Sequence, residues 1–216
     1  PIFDETGNIY RLVAIEADIT KVKLAEQEIA RQNQKITESI HYAKRIQEAV
    51  IPPEDFVISL LPNCFILFLP KDIVSGDFYW VNKVGSKTLF TAADCTGHGV
   101  PGAFMSMLGI SFLNEIINKL EYDQINPGYI ITILREEVKA HLRQTGKDGE
   151  AKDGMDIAFC MYDEESRQLH YAGAHNPMLL IRNDELIQYK ADEMPIGIYY
   201  QEKSEFTNNI VDIQDN

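Results

Sequence analysis

Two stretches of the chain carry residue types from which chemistry could be built. They are Ser75-Gly76-Asp77-Phe78-Tyr79-Trp80 and Ala93-Asp94-Cys95-Thr96-Gly97-His98-Gly99-Val100-Pro101-Gly102-Ala103. Each sets an aspartate at the edge of an apolar run. Val81 to Ala92, between them, reads as two strands around Gly85-Ser86, a glycine-first pair suited to a two-residue hairpin turn. A hairpin brings its outer ends together, so Asp77 and Asp94 are expected side by side. Adjacent carboxylates repel unless a cation lies between them. An all-oxygen site favours Mg²⁺, Mn²⁺ or Ca²⁺ over zinc. The bland alternative makes both aspartates ordinary turn residues. Glycines at 97, 99 and 102 free the backbone after Asp94 to turn sharply or to approach a bound group.

The order Gly-Asp-Phe-Tyr, hairpin, Ala-Asp-Cys-Thr-Gly-His-Gly-Val-Pro-Gly-Ala, apolar helix resembles the SpoIIE-type branch of the PPM phosphatases. These are metal-dependent serine/threonine phosphatases, and the RsbU-like bacterial members are linked to PAS and coiled-coil segments. The resemblance runs from about Asn63 to the end. It implies two ions, Mn²⁺ or Mg²⁺, activating a water for in-line attack on phosphorus. It implies Asp94 as the central metal-binding aspartate, Asp77 as a second, and Cys95 as a ligand through its backbone carbonyl only. His98 reads either as the acid for the leaving serine oxygen or as a loop histidine fixing backbone geometry. Asp156, in Gly154-Met155-Asp156-Ile157, reads as a residue reaching the metals through water or as a turn cap. Lys71 is the nearest basic residue to Asp77 and a candidate for holding phosphate. His175, in Ala172-Gly173-Ala174-His175-Asn176-Pro177, is similar to the family's Ala-Gly-His-Asn-Pro with two residues exchanged, and is read as structural. The family ends in a Gly-Asp strand, a Thr/Ser-Asp-Gly motif and a final aspartate. Asp212 and Asp215 do not match these, so the expectation is a domain incomplete at its C-terminus, lacking part of its metal site.

Composition narrows the function classes. With 20 Lys and Arg against 33 Asp and Glu, the net charge is −13. A nucleic-acid binder would present a basic surface, and so acidic a chain is repelled by anionic membranes. Cys64, Cys95 and Cys160 are widely spaced, odd in number and set in apolar contexts. They form no zinc pair or disulfide framework and point to a reducing, cytoplasmic compartment. Cys95 to Asn114 lacks Asp, Glu, Lys and Arg. Pro101, His98 and four glycines interrupt it, so it reads as a buried core helix rather than a membrane segment. Pro1 is no natural initiator, which suggests upstream sequence.

The elements that must position the two aspartates follow in order. Residues 1–20, with a turn at Asp4 to Gly7, a strand over Ile9 to Ile15 and an Asp18-Ile19-Thr20 exit, resemble the last hairpin of a PAS sensor domain. Residues 21–52 form a linker helix, capped by Asp18 or Thr20 and stopped by Pro52-Pro53. Val22, Ile29, Ile36, Ala43 and Val50 recur every seventh residue, one core column of a coiled coil. The second column is poorly filled in either register. The segment therefore reads as a parallel dimeric linker, or as one amphipathic helix lying on its own domain. Residues 63–216 hold the phosphatase-like domain. Strands are expected at Asn63 to Leu69, in the hairpin, at Asp156 to Tyr162 and Gln168 to Ala172, and in a second hairpin around Asn183-Asp184. Helices are expected from Pro101 to about Lys119 and from Asn126-Pro127 to Gly146. The order implies an α/β (α+β) fold, and the resemblance implies a four-layer α-β-β-α sandwich of antiparallel sheets after a long coiled-coil helix. Two functions are open. One is a sensor-regulated phosphatase acting on an anti-anti-sigma-like phosphoprotein. The other is a non-catalytic dimerising module that keeps the fold.

Overall fold

The computed structural model describes residues 2–11, 17–147, 149–150 and 152–213. The chain divides into two compact units, Pro1–Ser39 and Ile40–Asn216. In the first, β1 (Ile2–Phe3) and β2 (Ile9–Arg11) pair antiparallel. Asp4 closes their turn by accepting from the Thr6 and Asn8 amides at 2.9 and 3.0 Å. The expected continuation of β2 to Ile15 lies outside the described residues. Helix α1 (Thr20–Val50) begins where Asp18 Oδ1 accepts from Thr20 N at 2.9 Å, and it stops before Pro52-Pro53 as expected. Val22, Ile29 and Ile36 are all more than half exposed.

The second unit is built on one antiparallel sheet. Its strands are β3 (Phe78–Val84), β4 (Lys87–Cys95), β5 (Met155–Asp163), β6 (Gln168–Ala174) and β9 (Asn209–Asp212), in the order β3-β4-β5-β6-β9. The turn between β3 and β4 falls at Gly85-Ser86, with Gly85 at φ +60°, a left-handed conformation glycine adopts freely. A separate hairpin pairs β7 (Met178–Arg182) with β8 (Glu185–Tyr189). Asn183 and Asp184 turn it with φ of +52° and +60°, the paired positive φ of a type I′ turn.

Two helices cover one face. Helix α3 (Gly99–Lys119) packs against β4, and α4 (Pro127–His141) against β5 and β6. Alternation along the strands decides which residues they meet. Leu89, Ala93, Cys95, Met155, Ile157 and Phe159 face the helices and are buried with Leu113, Ile130 and Leu134. Helix α3 is long and apolar enough to cross a membrane by composition, but ten of its residues are buried in this core, as a sandwiched core helix requires. Asn126 caps α4 by accepting from Tyr129 N at 3.0 Å.

Several expectations need correction. Asn63 to Leu69 is no strand: it runs alongside the unit without ladder partners. It keeps the alternation that suggested one, with Cys64, Ile66 and Phe68 half-buried and Phe65, Leu67 and Leu69 exposed by 89%, 79% and 80%. A short helix, α2 (Glu54–Leu60), follows Pro53, and β9 was not foreseen. Helix α4 stops at His141 rather than Gly146, because Arg143 turns left-handed at φ +54°. Helix α3 starts at Gly99, two residues before Pro101, with Gly99 at φ +63°.

Candidate metal centre and active site

The hairpin delivers the two aspartates as its register requires. Phe78 pairs with Ala93, so the next residues outward, Asp77 and Asp94, face each other across the ends of β3 and β4. Directly opposed residues of an antiparallel pair point to the same face. That face is the one turned away from the helices. Burial, and then the Asp94 carboxylate beside it, raise the Asp77 carboxyl above the usual aspartate value. Asp77 holds a proton more tightly than an isolated carboxylate would, first because it is desolvated and then because a like charge lies beside it.

The sheet carries the row further. Asp94 pairs with Asp156 of β5, and Ile157 pairs with Ala174, which sets Asp156 against His175. Asp77, Asp94, Asp156 and His175 therefore form one line across four strand ends. His175 Nδ1 lies 2.8 Å from Asp156 Oδ1. His175 has a left-handed backbone, φ +56°, which a non-glycine residue keeps only when its surroundings hold it there. They do so through His175 N donating to Asp192 O at 2.9 Å and the ring meeting Tyr199 edge-on at 6.3 Å.

The glycine loop packs against the start of β3. A Cβ on Gly76 would come within 2.7 Å of the Gly97 carbonyl, and one on Gly102 within 2.9 Å of Gly76 Cα. Bare glycines are thus what allow the two stretches to touch. Behind them, Gln47 of α1 is buried and fully engaged. Its Nε2 donates to Ser75 O at 2.6 Å and Ser106 Oγ at 2.8 Å, and its Oε1 accepts from Ser75 N at 3.0 Å. The residue two before Asp77 is thereby tied to both α1 and α3.

Cys95 is buried, and burial followed by the nearby Asp94 and Asp77 carboxylates pushes its thiol far above the normal range. Its side chain turns into the helix-covered core, which leaves its carbonyl toward the acidic row. Asp156 directs one carboxylate oxygen to His175 Nδ1. His98, at the head of α3, is exposed and directs Nδ1 to Asp72 Oδ2 at 2.7 Å. Lys71 is exposed and lines neither cleft beside the acidic row. Among the described residues no three His, Cys, Asp or Glu side chains converge closely enough to hold an ion. The opposed Asp77 and Asp94 offer oxygen donors only, and a divalent cation would offset both the desolvation and the neighbouring charge that raise Asp77. The set fits one hard ion in part. Gln47, Asp72 and His175 escaped the sequence reading as site neighbours.

The family model for stage II sporulation protein E (SpoIIE) matches residues 85–215, more than half of the chain. This chain belongs to the SpoIIE family. Among solved structures, the SiaA PP2C domain of Pseudomonas aeruginosa is 29% identical, with a TM-score of 0.72, over 86% of this chain and 70% of that one. The PP2C phosphatase domain of SpoIIE from Bacillus subtilis, solved with a fragment of its regulatory domain, is 19% identical with a TM-score of 0.52, over 65% of this chain and 39% of that one. The RsbU and RsbW domains of a Mycobacterium tuberculosis protein match at 18% identity and a TM-score of 0.50, over 67% and 37%. These last two show the fold. No curated protein matches by sequence. The mixed α/β phosphatase fold expected for a SpoIIE member is thus present, and the acidic row lies on it where β3, β4 and β5 end together.

Proposed function

We propose that this SpoIIE-family chain is a metal-dependent serine/threonine phosphoprotein phosphatase. The observation that carries this reading is the opposed Asp77–Asp94 pair, extended along the sheet by Asp156 where three strand ends meet. Asp77, Asp94 and the Cys95 carbonyl are the groups to hold Mn²⁺ or Mg²⁺, with Asp156 nearby. A divalent ion there supplies charge for the phosphoryl oxygens and acidifies water. The chain's own residues do the positioning. The Gln47–Ser75 bonds and the Gly76–Gly97 contact fix the backbone that carries Asp77, and the β4–β5 ladder fixes Asp94. Asp72 orients the His98 imidazole, leaving its Nε2 to donate a proton to the departing serine oxygen.

The same proposal covers the rest of the chain. Residues 1–20 are the end of a PAS-like sensor, 21–52 a dimeric coiled-coil linker that passes its signal on, and 63–216 the phosphatase domain, working in the cytoplasm. The relatives named for RsbU and SpoIIE support a phosphorylated regulatory protein as substrate. Calorimetric Mn²⁺ titration tests the reading. The chain should bind at one site at most, and weakly, because two or three carboxylates are few for two divalent ions. Asp94→Asn should abolish that binding while circular dichroism stays unchanged. Equal affinity in the mutant would favour the non-catalytic dimerising module.

A further inference from the structure

The acidic row accounts for cations but offers nothing of the protein's own to a phosphate dianion. A cleft of roughly 380 Å³ opens beside Asp94 and Asp156, and among the described residues Lys152 is the one basic residue on its lining. Lys152 is exposed and has no ion-pair partner among the described residues. The two residues that follow it are held in place. Asp153 O accepts from Gln144 Nε2 at 2.6 Å, and Gln144 Oε1 accepts from Ile198 N at 2.9 Å. Gly154 exchanges two bonds with Thr96, whose amide donates to Gly154 O at 2.9 Å and whose Oγ1 accepts from Gly154 N at 3.1 Å. A side chain on Gly154 would collide with the Ile196 carbonyl. Of the two residues after Lys152, Asp153 is thus held to Gln144, and Gly154 to Thr96, two residues after Asp94. On its other side Lys152 borders a second cleft with Tyr199 and Tyr200. Their rings lie 4.6 Å apart, and Tyr200 is 81% exposed.

We infer that Lys152 is the residue that holds the substrate's phosphate, and that the residue flanking the phosphoserine or phosphothreonine lies over the Tyr199–Tyr200 pair. This rests on the phosphatase reading and deepens it. A lysine ammonium is a compact charge on a flexible stem, able to reach a phosphoryl oxygen without dictating one geometry. The anchored Asp153 and Gly154 that follow Lys152 keep that reach beside Asp94. It replaces Lys71 in the role expected from sequence, because Lys71 faces neither cleft.

The probe is a fluorescein-labelled peptide carrying a non-hydrolysable phosphonate in place of phosphoserine, with its serine twin as reference. Binding is read by anisotropy on the full 216-residue chain with Mn²⁺. Loss of one charge-assisted bond should weaken the phosphonate peptide about tenfold or more in Lys152→Gln. Lys152→Arg should restore most of it, and Lys71→Gln should change nothing. Calorimetric Mn²⁺ affinity and binding of the serine twin should be the same in Lys152→Gln as in the parent. Parental phosphonate affinity in Lys152→Gln would overturn the assignment and leave the phosphatase reading standing. Loss of Mn²⁺ affinity in that variant would make Lys152 structural and also overturn it. A parent chain that prefers neither peptide would remove the phosphatase reading, and this inference with it.

Discussion

Replacing Gln47 by leucine should destabilise the Ile40–Asn216 unit by about 2 kcal/mol and weaken metal binding. The magnitude follows from what each bond leaves behind. Ser75 N donates to Gln47 Oε1 and is buried, so in the variant it has no acceptor. A buried donor left unpaired costs about 1–3 kcal/mol. The other two partners are better placed. Ser75 O keeps the Ser106 hydroxyl at 3.2 Å, and that hydroxyl also has Ala103 O at 2.9 Å. Leucine matches the lost volume closely, which limits any cavity cost. One orphaned amide therefore sets the scale. For a domain of this size about 2 kcal/mol is roughly 4–8 °C in Tm. Urea unfolding should show a lower midpoint at an unchanged slope, since the surface exposed on unfolding is the same. Mn²⁺ affinity should fall as well, because Ser75 and Gly76 are the backbone on which Asp77 rides. A midpoint shift worth less than about 0.5 kcal/mol would mean that water replaces Gln47 at no cost, and the coupling between α1 and the acidic pair would be refuted.

The raised carboxyl of Asp77 gives a pH dependence with a definite sign. The folded metal-free chain binds this proton more tightly than the unfolded chain, so stability falls as pH rises from the free aspartate value, about 3.9, through the raised one. Asp77→Asn should therefore gain on the parent through that window and be the more stable protein at pH 7 without metal. A stability difference that is flat with pH would sink the account of a carboxyl raised by burial and by Asp94. Replacing both Ile29 and Ile36 by Asp should convert a sedimenting dimer to monomer, since these exposed residues form the apolar column of α1; a parent that already sediments as monomer would defeat the coiled-coil reading.

What the sequence made legible was local. The Gly85-Ser86 and Asn183-Asp184 turns, the Asn126-Pro127 helix start and the Pro52-Pro53 stop are decided by neighbours a few residues apart, and each holds in the structure. The Asp77–Asp94 meeting was also readable, because a two-residue turn fixes the register of both arms. Asn63 to Leu69 misled because alternation records which side chains turn inward, and says nothing of whether another strand is there to pair. Gln47 was hidden for a different reason. A glutamine on a polar helix face looks like any solvated residue until a buried backbone amide 28 positions away is brought to it.

The hardest part to read was the full acidic row, although Asp77 and Asp94 were read as a pair and Asp156 and His175 were each noticed singly. Asp94 and Asp156 are joined by the pairing of β4 with β5, strands separated by α3, α4 and the loop between them. Had that pairing slipped by one residue, Asp156 would point into the helix-covered core in place of Met155 or Ile157. The burial pattern forbids the slip, since Met155, Ile157 and Phe159 are each at most 2% exposed. The packing of apolar residues on one face of the sheet is thus what places three carboxylates and a histidine in line on the other. The site's electrostatic strain is a consequence of core register, and a divalent cation is the partner that would relieve it.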